Sequence, residues 1–309
     1  MPTNNRLTFL SDLDLNQIRE GLQQILPYPR PDSSRIKLLN DGFSSYVILV
    51  EDEFILRIAK HAEALAGHIK EQAVLPLLQE RLPIQIPKPT WRVEPSDYFP
   101  FGAIGYRRIL GTPFSLSLAP HVKLDRLAQD LAQFLGALHN VPLDEMTAVG
   151  FKIIDELESL RAEVMPTLYT YLTEAEYEKI RTWWESYLNN PVKESFTPKL
   201  IHGDPWGENI ILSETLDSIV GVVDFETASI GDVAQDFAAQ KYLGPDFLSR
   251  VLEHYQQLGG ELENHFATRL QGWSMLRELR GLGYAIRYPG SSELVDSLQK
   301  VRYELSLSA

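Results

Sequence analysis

Leu200 to Glu226 reads LIHGDPWGENIILSETLDSIVGVVDFE, and this stretch decides the fold. Ile210-Ile211-Leu212 is a short apolar run, Ser213 to Ser218 is polar and turn-like, and Ile219 to Val223 is a second apolar run rich in β-branched residues. Two such runs around a short polar break predict a β-hairpin. In an antiparallel pair the start of the first strand lies beside the end of the second, with facing Cα atoms roughly 4.5–5.5 Å apart. Asn209, just before the first strand, and Asp224, just after the second, are therefore expected to be neighbours. Asp204 stands five residues ahead of Asn209 on the leading loop. A carboxylate and an amide oxygen suit Mg²⁺, a hard cation held by one or two carboxylates plus substrate phosphates. The other carboxylate, Asp204, can orient an attacking hydroxyl and accept its proton.

The spacing H-x-D-x-x-x-x-N followed by D-F-x matches a kinase catalytic loop and metal loop. As turn residues capping a hairpin, Asp224 or Asn209 would each be ordinary, but that reading explains poorly why both stand beside Asp204. His202-Gly203-Asp204 with Asn209, then Asp224-Phe225-Glu226 and Gly231-Asp232-x-x-x-Asp236, resembles the aminoglycoside phosphotransferase family over about 35 residues. The resemblance implies an α+β, bilobal protein-kinase-like fold, with a β-rich N-terminal lobe and a mostly helical C-terminal lobe. It implies a nucleotide-binding lobe at 1–109 and a catalytic and acceptor-binding lobe at 110–309.

The chain has 309 residues, which suggests two domains or one large one, with ample material for a core. Its 44% hydrophobic and 10% aromatic content exclude a disordered chain. With no cysteine there are no disulfides, thiolate metal sites or cysteine nucleophile. The start, MPTNNRLTFL, lacks the apolar core of a signal peptide. No apolar run approaches the ~18 residues of a membrane span. A cytoplasmic protein is expected. The net charge of −13, from 29 basic and 42 acidic residues, argues against nucleic acid and anionic membranes as partners. Plain solubility is the first reading of that charge, and it is also compatible with a cationic substrate drawn to an acidic cleft.

In chain order, Leu15, Ile18, Leu22 and Ile25 predict a helix over 11–26, with Ser11 or Asp12 as cap and the Pro27 to Pro31 stretch as its end. Strands are expected at 35–39, 45–51 and 54–58. The break at 40–45 holds only Gly42, so it is no G-x-G-x-x-G loop and can be an ordinary turn. In the kinase reading this turn covers the nucleotide phosphates, through backbone N–H groups and the hydroxyls of Ser44 and Ser45. The resemblance puts Arg57 in the place of the phosphate-binding lysine. Lys60 competes for that role, but three residues on it points to the other strand face. Residues 61–80 read as a helix that Pro76 can disturb. Glu71 on it is the family's partner for the strand cation, or else a solvated helix residue. Residues 82–100 are proline-rich and expected to be extended. By resemblance 101–110 is the last small-lobe strand and hinge, with Tyr106 to Ile109 meeting the nucleobase edge.

Helices follow at 124–138, 155–165 and 173–189, the last with capping-box spacing at Thr173 and Glu176. His139 reads as a structural histidine at a helix end. Asp232 can cap a helix from Val233. By resemblance Asp236 braces the catalytic loop. Eleven residues separate Asp224 from Asp236, with no A-P-E motif. That is too short for a protein-kinase activation segment, which favours a small-molecule acceptor. Residues 245–259, 261–288 and 292–307 are helical by pattern. Trp273, Glu278 and Tyr284 are candidates to line an acceptor pocket, although such residues are commonly core or surface. There is no G-x-S-x-G and no H-E-x-x-H, and Gly281-Leu282-Gly283 does not follow a strand.

The expectation is a monomeric small-molecule kinase. It would take the γ-phosphoryl group from ATP or GTP, with Mg²⁺ on Asn209 and Asp224, Arg57 set by Glu71 on the phosphates, and Asp204 on the acceptor hydroxyl. An aminoglycoside acceptor fits both resemblance and acidity, with Glu226, Asp232 and Glu278 to meet its ammonium groups. The alternatives are a macrolide, homoserine or choline-like acceptor, or a nucleotide-binding pseudokinase, which the glycine-poor turn and Arg57 favour.

Overall fold

The computed structural model describes residues 18–22, 35–289 and 293–307. Of the helix expected over 11–26, residues 18–22 are helical, while the Ser11 or Asp12 cap and the Pro27 to Pro31 break lie outside the described residues. Two compact units are present: Met1–Phe114 with Asn209–Thr227, and Ser115–Glu208 with Ala228–Ala309.

The first unit is built on an antiparallel sheet. Its strands are β1 (Ile36–Asp41), β2 (Ser45–Val50), β3 (Phe54–Ala59), β4 (Pro89–Val93) and β5 (Ala103–Arg107), in the order β1-β2-β3-β5-β4. Alternation along the strands gives the sheet two apolar faces. Tyr46, Ile48, Val50, Leu56 and Ile58 pack on one side with Ile18, Leu22 and Phe99. Leu49, Ile55 and Tyr106 pack on the other. Arg57 lies two residues from Ile55 and shares its face. Pro89 begins the edge strand, where a missing N–H costs no ladder bond. Helix α1 (Ala62–Leu78) follows β3 and continues through Pro76. Its inner face buries Ala64, Val74, Leu75 and Leu78, enough apolar surface to carry the helix past one lost backbone bond.

The expected hairpin is present. After β6 (Thr112–Pro113), and after β7 (Lys199–Ile201) of the second unit, come β8 (Ile210–Leu212) and β9 (Ile219–Val222), which pair antiparallel with Ile210 opposite Val222. The hairpin also pairs with β6 and, through Gln85, with the proline-rich segment.

The second unit is helical: α2 (Leu124–His139), α3 (Leu143–Ala148), α4 (Leu157–Tyr171), α5 (Glu174–Asn189), α6 (Ala234–Ala238), α7 (Pro245–Gln257), α8 (Phe266–Arg287) and α9 (Glu293–Leu307). One core joins α4, α5, α8 and α9 around Trp184, Leu168, Ile180, Leu276 and Val301. The α2 stripe of Leu127, Leu131, Phe134, Leu135 and Leu138 is buried, with α7 packed against that helix. The Thr173–Glu176 capping box forms at the start of α5. Three expectations are corrected. The helix at 155–165 runs to Tyr171 through Pro166, because Val164 and Leu168 anchor the core on either side of the proline. Residues 261–265 are not helical, and α8 starts after His265, whose φ is 64°. The segment after Glu226 holds a strand, β10 (Ser229–Gly231), paired antiparallel with β7. No helix among the described residues is long and apolar enough to cross a membrane.

Candidate active site

In the first unit, Arg57 is the centre of an ion-pair cluster. Its Nη1 donates to both Glu71 carboxylate oxygens, each at 2.8 Å. Its Nη2 donates to Asp224 Oδ1 at 2.8 Å and to Glu226 Oε2 at 3.0 Å. Glu71 Oε1 also accepts the Phe225 N–H at 2.7 Å, so a helix residue 154 positions away fixes the turn after β9. Burial works against the Arg57 charge, but Asp224 and Glu71 outweigh it and hold the guanidinium well above its ordinary range. Burial pushes the Glu71 carboxyl up, and Arg57 draws it back. Lys60 is engaged elsewhere: it contacts Asp41 and the Gly42 carbonyl and lies 4.5 Å from the Tyr46 ring centroid.

Asn209 and Asp224 stand at the base of the hairpin, where the Val223 N–H donates to the Asn209 carbonyl at 2.9 Å. Asp224 has φ 68°, and its side chain is 40% exposed although one oxygen is held by Arg57. Among the described residues no three His, Cys, Asp or Glu side chains group to hold a metal by themselves. One carboxylate and one amide oxygen instead fit a Mg²⁺ ion whose remaining ligands are phosphates and water.

Several expected contacts are corrected by this geometry. Ser45 points inward, is 3% exposed, and meets His68 Nε2 at 2.9 Å, so its hydroxyl is not offered to a phosphate. The Ser44 hydroxyl donates to Glu226 Oε2 at 2.6 Å. Glu226, expected among acceptor contacts, is therefore part of the Arg57 cluster in the first unit. Gly67 of α1 makes room for it, since a Cβ there would stand 2.2 Å from Glu226 Cγ. Burial and then Asp224 push the Glu226 carboxyl up to about 7. The Tyr106 side chain is buried in the sheet, and Ile109 lies against Gly221 of β9.

In the second unit, Asp204 follows a loop pinned from below. Asp236, fully buried, accepts the His202 N–H at 2.9 Å and the Gly203 N–H at 2.7 Å. His139 Nε2 meets the same carboxylate at 3.1 Å, and Tyr255 Oη meets the other ring nitrogen at 2.8 Å. Gln235 Nε2 donates to the Gly203 carbonyl and Gln240 Nε2 to that of Pro205. Gly203 has φ 91°, a conformation that costs a side-chain-bearing residue. Asp204 Oδ1 accepts from Arg277 Nε at 3.2 Å.

Asp232 is corrected as an acceptor contact. It is fully buried, accepting from Arg269 Nε at 2.8 Å, from Trp273 Nε1 at 2.9 Å and from the Ala234 N–H at 3.0 Å. Trp273 thereby spends its N–H on Asp232, and Arg280 lies over its ring. Glu278, 2% exposed, accepts from Arg277 Nη1 at 2.9 Å and the Tyr242 hydroxyl at 2.7 Å. Tyr284 packs on Tyr288. The sequence reading missed Gln235, Gln240, Trp206, Tyr242 and Arg277. Of these, Trp206, Gln235 and Arg277 carried a local signal, as neighbours of Asp204, Asp236 and Glu278 in the chain.

A β-rich N-terminal part with a glutamate-paired cation, and a helical part with an aspartate on a braced loop, define a protein-kinase-like fold. The chain belongs to the phosphotransferase enzyme family, whose model matches residues 35–279. It is 36% identical over 109 residues to viomycin phosphotransferase of Streptomyces vinaceus, a match that covers 34% of this chain and 37% of that protein. Its fold is similar to the GDP and kanamycin complex of APH(2")-IIia, with TM-score 0.81, 21% identity, and 93% and 98% of the two chains covered. It is also similar to macrolide 2'-phosphotransferase type I, with TM-score 0.69, 17% identity, and 95% and 98% covered. The expected family and fold class are borne out.

Proposed function

We propose that the chain is an O-phosphotransferase moving the γ-phosphoryl group of ATP or GTP to a hydroxyl of a small antibiotic-like molecule. The observation that carries this reading is the Arg57 guanidinium held at once by Glu71 and Asp224, a buried cation fixed beside the hairpin base. The first unit is read as the nucleotide-binding part, with Arg57 on the phosphates and the backbone near Ile109 toward the nucleobase. Asn209 and Asp224 hold Mg²⁺, which neutralises phosphate charge when bound. The second unit is read as the acceptor-binding part. Asp204, kept in place by Asp236, orients the acceptor hydroxyl and takes its proton. Phosphoryl transfer leaves the protein mainly positioning and charge stabilisation to supply. The protein is read as a cytoplasmic monomer.

An aminoglycoside is the first acceptor reading, supported by the kanamycin named in one structural relative and by the acidic chain. A macrolide or other weakly charged alcohol is the second. A specific observation favours it: Glu226, Asp232 and Glu278 are each paired with an arginine of the chain, Arg57, Arg269 and Arg277. The test is nucleoside diphosphate release from ATP and from GTP with Mg²⁺, over aminoglycosides, macrolides and small amino alcohols, with Asp204→Asn as control. Acceptor-stimulated release that the control lacks supports the reading. Nucleotide binding with no stimulation by any acceptor removes it.

A further inference from the structure

The space beside Asp204 in the second unit contains a cation-binding arrangement that the chain fills itself. Arg277 of α8 donates from Nε to Asp204 and from Nη1 to Glu278. Its guanidinium carbon lies 5.4 Å from the Trp206 ring centroid and 5.6 Å from that of Tyr242. The two rings meet edge to face at 5.9 Å, and the Tyr242 hydroxyl donates to the same Glu278 oxygen that Arg277 uses. Two aromatic faces and two carboxylates around one point are what recognises an organic cation. Lys241 and Lys300 also lie over the Tyr242 ring, at 5.1 and 5.6 Å, and are paired with Glu304 and Asp296.

We propose that Arg277 is a specificity-determining residue. By occupying the Trp206–Tyr242–Glu278 cage beside Asp204, it excludes acceptors that carry an ammonium group next to the reacting hydroxyl. The acceptor class is then an alcohol whose carbon adjacent to that hydroxyl carries no ammonium group. The proposal rests on the phosphotransferase reading for the role of Asp204. The cage itself is defined by geometry alone. Arg277 already neutralises Glu278 and lies over both rings, so an incoming ammonium meets a guanidinium where the rings and the buried carboxylate converge. Asp204 remains as the acceptor of the hydroxyl proton.

Two measurements test this. The first is binding of methylguanidinium, followed by Trp206 fluorescence, to the full chain and to Arg277→Ala, with Trp206→Phe added to identify the signal. Saturable binding to Arg277→Ala and none to the unaltered protein is expected. Equal binding to both, or none to a variant whose circular dichroism is native, overturns the cage. If Arg277→Ala does not fold, Arg277→Gln, which keeps a donor for Glu278, takes its place. The second measurement compares kcat/KM for pairs of alcohols carrying, next to the hydroxyl, either a free amine or its N-acetyl form. The unaltered protein should prefer the N-acetyl form by ~10-fold, and the Arg277 variant should lose that preference. A preference of the unaltered protein for the free amine overturns the proposal. No turnover of any alcohol would instead fail the phosphotransferase reading, while methylguanidinium binding still decides the cage.

Discussion

Asp204 and Asp236 are both aspartates on or under one loop, and their surroundings give them different tasks. Asp236 is fully buried and spends its oxygens on two backbone N–H groups and His139. Asp204 is about one-third exposed and meets one arginine. Asp204→Asn should lower kcat by about 10²–10⁴-fold, because the proton acceptor is lost while the shape is kept. Nucleotide affinity should stay near that of the unaltered protein, and paired turnover and titration experiments check both. His68 gives a second prediction. Burial, then the Arg57 charge, lowers its folded-state pKa to about 3, against an ordinary value of 6.5. The unfolded chain therefore binds the proton first. Stability is complete above pH 6.5 and falls as pH drops from there toward 3, by on the order of 2–4 kcal/mol. His68→Gln should flatten that acid limb in urea melts taken between pH 4 and pH 8. Unchanged pH dependence would remove His68 from the account. At this scale the sequence was most readable where spacing is local. Asp204, Asn209 and Asp224 follow from one hairpin. The arginine that neutralises Asp232 does not, since Arg269 lies 37 residues from it and no periodicity links them.

Among the elements, α1 and the β8–β9 hairpin depend on each other through two residues. Glu71 fixes the Phe225 N–H, and Gly67 leaves the space that Glu226 fills. Gly67→Ala would drive a methyl into Glu226 at 2.2 Å, and the far end of that side chain is held by Ser44 and Arg57. The expected result is a loss of about 1–3 kcal/mol of stability from overpacking. A weaker grip on nucleotide should accompany it, because Glu226 is pushed against Arg57. A melting curve and a nucleotide titration on the same sample check the two parts, and a variant with unchanged midpoint refutes the first. The elements themselves were largely legible. β1 to β3, the hairpin and the Thr173 cap follow from alternation and capping chemistry. β10 was not legible, because three residues with one apolar side chain give no period, and its partner β7 is a distant short run. The α4 extension past Pro166 was missed for the opposite reason: a local breaker was overruled by core burial at Leu168.

For the whole molecule, the two compact units give a frame in which ligand effects can be followed residue by residue. Mg²⁺ and nucleotide should protect amides of β1 to β3, α1 and the hairpin from hydrogen exchange, with α4, α5 and α9 little changed. At a ligand concentration of 100 times Kd the gain is about 2.7 kcal/mol. Asp224→Ala should erase the Mg²⁺-dependent part, and protection that persists in that variant would move the metal away from the hairpin. The change from strand to helix patterns along the chain was legible, while a division into two lobes came from the family resemblance. That Asn209–Thr227 joins the N-terminal part was not legible, because this depends on the pairing of β8 with β6 and of β9 with Gln85.

Glu208 and Asn209 are adjacent in the chain yet belong to different units. On the proposed reading, the positions that choose an acceptor and those that hold the donor are not one mutational target. Selection for a new acceptor can act on Arg277, Tyr242 and Trp206 while leaving Arg57, Glu71 and Asp224 untouched. An inhibitor that competes with the nucleotide would then keep its target through such changes, whereas a decoy shaped like the acceptor would lose its target first.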